Sequence, residues 1–189
     1  MVKNILLSGV GGQGILLAAK IIATAADLAG CEVTTNEIHG MAQRGGSVTA
    51  QIRYGENVYS PLIPDGTADV LASLEEIEAI RYAHFLKKDG LAVVSKQQII
   101  PVTVSVGKAV YPTDVEARLH TLFPNLKYMD FCSRAQKLGD IRMANTIMLG
   151  ALSNGLDIPP EIWERAIAKC VKPAFVESNT AAFKTGRKA

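Results

Sequence analysis

Strands that alternate with helices, a glycine-rich turn between the first strand and the first helix, and a run of helices after the last strand predict an α/β fold. The expected form is one three-layer α/β/α domain over residues 1–189, with a Rossmann-like, largely parallel sheet, an antiparallel hairpin and a helical C-terminal tail. At 189 residues, 48% hydrophobic and 20% charged, the chain can bury one real core. No linker, internal repeat or low-complexity segment divides it.

Lys3–Ser8 reads as the first strand, Gly9-Val10-Gly11-Gly12-Gln13-Gly14 as a turn, and Gln13–Ala29 as a helix stopped at Gly30. Apolar residues surround most of that helix, so burial on more than one side is expected. Cys31–Asn36 is the second strand and Glu37–Gly46 a polar loop. Ser47–Tyr54 alternates like a half-buried strand, with Val58-Tyr59-Ser60 as its return strand after a turn at Gly55-Glu56-Asn57. Pro61 and Pro64 mark a loop, and Asp69–Ala72 is a short buried strand. Ser73 with Glu76 has the form of a capping box, opening a helix that ends near Lys87 and an Asp89-Gly90 turn. Leu91–Val94, Val102–Val106 and Leu126–Met129 read as strands, with a helix over Val115–Leu122. Helices over Arg134–Leu138, Met143–Leu152, Trp163–Val171 and Ala174–Lys184 form the tail, with Pro160 at the first turn of the third.

A net charge of +2 argues against nucleic acid or an anionic membrane as partner. No run of eighteen apolar residues and no signal-peptide pattern occurs, so a soluble cytoplasmic protein is expected. Cys31, Cys132 and Cys170 are far apart and suit reduced thiols in the core. With no C-x-x-C pair, the chain by itself cannot hold a four-cysteine iron–sulfur cluster. The three histidines lack metal-ligand spacing, so no metal site is expected, and His84 and His120 read as structural.

Two segments carry chemistry. In Gly9–Gly14 the glycines permit positive φ and close approach, and the following helix aims free N–H groups and a positive dipole end out of the turn. The spacing fits G-x-G-x-x-G, which serves a bound anion or simply a tight junction. The second segment, Asn36–Gly46, should leave the second strand beside that turn, at the sheet edge where open α/β folds bind ligands. Within it, Arg44 offers the planar fork that grips carboxylates and phosphates, or is a solvated surface arginine. His39 is a weak candidate proton donor, or hydrogen-bonds its own loop. Gln13 can bond across the glycine turn to ligand or partner. Met41, Met143 and Met148 read as packing or interface residues, and Asp130 and Arg142 as a possible pair.

Gly9-Val10-Gly11-Gly12-Gln13-Gly14 followed by His39-Gly40-Met41-Ala42-Gln43-Arg44-Gly45-Gly46-Ser47 resembles the gamma-type subunit or domain of 2-oxoacid:ferredoxin oxidoreductases. Ser60-Pro61-Leu62-Ile63-Pro64, Ala68-Asp69-Val70-Leu71, Ile158-Pro159 and Asn179–Gly186 extend the likeness nearly end to end. Met-Ala-Gln before Arg-Gly-Gly is most similar to the small (beta) subunit of the indolepyruvate type. The resemblance implies oxidative decarboxylation of an aryl-pyruvate with coenzyme A, giving aryl-acetyl-CoA, carbon dioxide and reduced ferredoxin. It also implies that thiamine diphosphate, Mg and [4Fe–4S] clusters sit on a large partner subunit. The chain agrees in lacking a cysteine cluster and the Gly-Asp-Gly…Asn pattern of thiamine enzymes. The residues implied to touch ligand or partner are Gly9, Gly11, Gly12, Gln13, Gly14, Gln43, Arg44, Gly45 and Gly46. Two other classes stay open: an NAD(P)-binding dehydrogenase domain, with Glu37 as the ribose acid, and a purely structural assembly subunit.

Overall fold

Six strands form one sheet in the order β2-β3-β1-β4-β5-β6. They are β1 (Lys3–Val10), β2 (Glu32–His39), β3 (Ser47–Gly55), β4 (Ala68–Ser73), β5 (Leu86–Ser95) and β6 (Leu126–Met129). The structure, a computed structural model, describes residues 1–40 and 45–189. Strands β1, β4, β5 and β6 pair in parallel, while β3 runs antiparallel to both β1 and β2. The helices are α1 (Ile15–Leu28), α2 (Glu76–Arg81), α3 (Val102–Ser105), α4 (Val115–Leu122), α5 (Phe131–Lys137), α6 (Ala144–Ser153), α7 (Pro160–Cys170) and α8 (Val176–Arg187).

The predicted three-layer, mostly parallel α/β fold is what forms. Ile5, Leu7, Val70 and Val93 face a core shared with α1, α6, α7 and α8. Leu6, Leu71, Ala92 and Val94 face a smaller core under α2 and α4. Alternation along a buried strand serves both faces, which is why these strands read as continuous apolar runs. Helix α1 buries Ile15, Ala18, Ala19, Ile21, Ile22, Ala25 and Ala26 and ends at Gly30, whose φ of 81° supplies the left-handed stop.

Four local readings are corrected. The antiparallel hairpin is β2–β3, not Ser47–Tyr54 with 58–60. Both sides of β3 are already taken, by β1 and β2, so residues 58–60 cannot pair with it. The helix after β4 is capped by Glu75, whose carboxylate accepts from Glu78 N at 2.9 Å. Ser73 is the last residue of β4, and its hydroxyl donates to Glu75 O at 2.7 Å. That helix stops at Arg81, and Asp89-Gly90 lie inside β5. The β4–β5 register jumps from Ala68↔Leu86 to Val70↔Leu91, so the predicted turn is a bulge. Val102–Ser105 is helical, because β6 occupies the free edge of β5 and Ser105 N donates back to Pro101 O at 3.0 Å.

The thiols of Cys31, Cys132 and Cys170 are free and sit at the rim of the larger core, half-buried where full burial was expected. Met143 and Met148 are buried packing residues. No helix among the described residues is long and apolar enough to cross a membrane.

Candidate functional site

Strand β1 delivers the glycine turn to the C-terminal edge of the sheet, and the turn's geometry is set from within the chain. Gln13 Oε1 accepts from Val10 N at 2.7 Å, and its Nε2 donates to Leu74 O at 2.8 Å and to Gln97 Oε1 at 3.0 Å. The side chain expected to reach ligand or partner thus ties the turn to the exits of β4 and β5. Gly9 is required for this, since a Cβ there would lie 2.7 Å from Gln13 Oε1. Gly12 and Gly14 hold φ of 102° and 80°, a region costly for any side chain. Gly14 also lets α6 approach: Asn145 Nδ2 donates to Gly14 O at 3.2 Å, and a Cβ at 14 would sit 2.5 Å from that nitrogen. Gly14 caps α1 without a side-chain hydrogen bond, so the first-turn N–H groups keep their need for an acceptor.

The second loop meets this turn. Gly11 N donates to Gly46 O at 2.9 Å, and Gly40 N to Ser47 O at 3.0 Å. The expected convergence therefore occurs, although β3 stands between β2 and β1. His39 is exposed at the end of β2, beside a cleft of about 610 Å³ lined by Gly11, Gly12, Gly14, Leu16, His39 and Val48. A second cleft of about 360 Å³ lies across the turn, lined by Gly12, Gly14, Gln97, Cys132, Arg142 and Asn145 among others. Neither cleft has a carboxylate among its described lining residues. The edge thus offers N–H donors and apolar walls, an arrangement that receives an anion or a carbonyl oxygen. Gly45, at φ 76°, and Gly46 lie at this edge, while Met41, Gln43 and Arg44 lie outside the described residues.

Cys132 Sγ donates to Gln97 Oε1 at 3.0 Å, and burial, with the Asp130 charge, pushes its thiol up. A thiol so placed is a structural donor and a poor nucleophile. Asp130 and Arg142 do not pair. Asp130 caps α5, accepting from Ser133 N at 2.8 Å, and the Ser133 hydrogen bonds hold its carboxyl low. Arg142 instead grips Asp140, at 2.6 Å.

Three buried carboxylates were missed as a group: Glu75, Glu76 and Glu78, at 2%, 3% and 5% exposure. Glu76 accepts from Tyr128 Oη and from Gln98 Nε2 at 3.1 Å. Glu78 accepts from Ser47 Oγ, the first residue of β3, and pairs with Arg81 at 3.3 Å. Glu75 accepts from Ile99 N at 3.3 Å and Tyr111 Oη at 3.2 Å besides its cap bond. Their signal was three glutamates in four residues directly after an apolar strand, where solvated charge is not expected. Among the described residues no group of three His, Cys, Asp or Glu could hold a metal ion.

Burial raises the Glu75 carboxyl against the pull of its hydrogen bonds from Glu78 N, Ile99 N and Tyr111. A raised carboxyl stabilises most below its ordinary pKa, about 4.3, and loses that contribution as pH rises through the raised value. The stability advantage of wild type over Glu75→Gln is therefore expected to shrink from about pH 4 toward neutrality. Urea unfolding at several pH values measures it, and a gap that grows with pH contradicts the assignment.

The dehydrogenase geometry is not present. There the ribose acid ends the strand next to β1, whereas Glu37 is exposed on β2, one strand further out. What remains is an α/β domain with a donor-rich glycine edge, closed by a second glycine loop. The chain belongs to the pyruvate ferredoxin/flavodoxin oxidoreductase family, whose model matches residues 4–189. This bears out the resemblance seen in the sequence. The indolepyruvate oxidoreductase subunit IorB of Thermococcus kodakarensis is 42% identical, covering 98% of this chain and 95% of the relative. That of Archaeoglobus fulgidus is also 42% identical, covering 97% and 92%. A keto/oxoacid ferredoxin oxidoreductase gamma subunit from Geobacter sulfurreducens shares the fold, with TM-score 0.71 and 24% identity over 100% of this chain and 95% of that one. So does a 2-oxoglutarate:ferredoxin oxidoreductase from Magnetococcus marinus, with TM-score 0.71 and 21% identity over 99% of this chain and 30% of that one.

Proposed function

We propose that residues 1–189 act as the single gamma-type domain of a cytoplasmic, indolepyruvate-type 2-oxoacid:ferredoxin oxidoreductase. Its reaction is the oxidative decarboxylation of an aryl-pyruvate with coenzyme A to aryl-acetyl-CoA and carbon dioxide, with electrons passing to ferredoxin. The 42% identity to proteins named as indolepyruvate oxidoreductase subunits, over nearly their whole length, supports the substrate class. Thiamine diphosphate with Mg and the [4Fe–4S] clusters are assigned to the larger subunit, where they supply carbanion stabilisation and electron transfer. Supporting this, the three cysteines have separate local partners: Cys132 meets Gln97 and Cys170 meets Thr24, while Cys31 packs at the core rim.

The observation that carries the reading is the pairing of the two glycine segments, Gly11 N to Gly46 O at 2.9 Å, beside clefts with no carboxylate among their described lining residues. In this reading Gly11, Gly12, Gly14, Gly45 and Gly46 shape the edge and Gln13 holds it. Gln43 and Arg44, which lie outside the described residues, are assigned by the sequence to contact with a phosphate of coenzyme A or a carboxylate of the partner. His39, exposed at the cleft rim, is the weakest member, since no base lies in hydrogen-bond contact with it among the described residues.

Arg44 is the test. A charge-assisted hydrogen bond contributes about 1.5–3 kcal/mol, so Arg44→Ala is expected to weaken coenzyme A use or subunit assembly about tenfold or more. Arg44→Lys keeps the charge without the fork and restores part of the loss. Turnover at varied coenzyme A, complex formation and melting temperature are measured together. If all three match wild type, Arg44 is a surface arginine. If melting alone collapses, it is structural.

A further inference from the structure

Between β5 and α4 the chain exposes an apolar segment at the same sheet edge as the glycine turn. Ile100, Val102, Val106 and Val110 are 48%, 76%, 59% and 89% exposed. From Gln97 to Thr113 the only charged residue is Lys108. The segment is nonetheless built. Lys108 N and Ala109 N both donate to Thr103 O, at 2.8 and 3.1 Å, and Gly107 turns the chain at φ 74°. Both ends are fastened to one buried carboxylate, Ile99 N and Tyr111 Oη each donating to Glu75 Oε1. An ordered, exposed and mainly apolar segment of this kind, with a single charge at Lys108, marks a protein contact.

We propose that Ile99–Tyr111 is a docking knob whose occupant is an apolar hollow on the larger subunit, bordered by a carboxylate for Lys108. This rests on the reading of the chain as a subunit of a larger enzyme. Continuity with the glycine edge, read above as meeting ligand or partner, argues for that occupant over a second copy of this chain. A stable interface needs about 800 Å² per partner, far more than four aliphatic side chains present, so the knob is one part of a longer interface. The structure continues it in one direction. Gln97, just before the knob, bonds Gln13 of the glycine turn at 3.0 Å, and Glu76 N donates to Gln97 O at 3.1 Å. Knob and glycine edge thus form one continuous surface, and a subunit seated on the knob reaches the clefts.

The experiment co-expresses the tagged chain with the larger subunit and titrates the purified partners. Val102→Asp/Val106→Asp/Val110→Asp is expected to lose at least about thirtyfold in affinity, with the melting temperature of the isolated chain unchanged. Val110→Asp, at the most exposed valine, is expected to lose about tenfold alone. Wild type failing to assemble overturns the subunit reading itself. Wild type assembling while both variants bind equally well overturns the knob alone. A concentration-dependent dimer of the isolated wild type that the triple variant abolishes assigns the knob to a second copy and also overturns the proposal.

Discussion

Gly186→Ala is expected to destabilise the chain by about 3 kcal/mol, lowering the melting temperature by roughly 6–12 °C. In an exposed helix the same change would stabilise by about 1 kcal/mol, so the sign itself is diagnostic. At Gly150 and Gly186 the backbones of helices α6 and α8 come into direct contact. A Cβ on Gly186 falls inside van der Waals contact with Ile147 O, and one on Gly150 with Phe183 O. Both obstacles are backbone atoms, which cannot rotate away. Relief requires α8 to slide, and that would disturb Phe183, which is fully buried and stacks on Trp163 with ring centroids 5.8 Å apart. Gly150→Ala is expected to behave alike, and the double variant to lose less than the sum, because one shift of α8 relieves both clashes. A melting temperature within about 2 °C of wild type for Gly186→Ala would show that α8 is not held against α6.

That helix contact illustrates what the chain's local chemistry discloses. The sequence predicts the helix over Ala174–Lys184, but nothing local says that Gly186 faces Ile147. The glycine turn was legible because three signals coincide there: an apolar strand, G-x-G-x-x-G spacing and an Ala/Ile/Leu-rich helix. The loop at Gly45-Gly46 was legible by its glycines and by resemblance. Strand pairing was harder. Ser47–Tyr54 alternates as a strand, yet its partners are the earlier β1 and β2, a long-range choice that a turn-like Gly55-Glu56-Asn57 disguises. Val102–Val106 is β-branched and reads as a strand, but the edge it would have joined belongs to β6. The buried glutamates were hidden for a related reason. A capping box explained Glu76 locally, whereas the tyrosines that satisfy this cluster, Tyr111 and Tyr128, lie 36 and 52 residues away from Glu75 and Glu76.

The sequence places Gln13 at the turn as a contact for ligand or partner, the structure gives it bonds within the chain, and its substitution separates the two roles. Gln13→Leu keeps the volume while leaving Val10 N and Leu74 O without their partner. Each such half-buried orphan costs about 1–3 kcal/mol, so a loss of about 3 kcal/mol is expected. Gln13→Glu is the sharper variant. One carboxylate oxygen still accepts from Val10 N, but the other faces Leu74 O and Gln97 Oε1, two acceptors with no proton between them. That arrangement favours the protonated acid, so the folded-state pKa of the new carboxyl is raised. A raised carboxyl gives its full contribution below the unfolded value, about 4.3, and loses it as pH rises. Gln13→Glu is therefore expected to approach wild-type stability near pH 4 and to fall progressively behind it toward pH 7, where it resembles Gln13→Leu. Denaturation of the three proteins across that range decides the role. If both variants match wild type at every pH, the turn keeps its shape without Gln13, and that side chain is available to ligand or partner as the sequence first indicated.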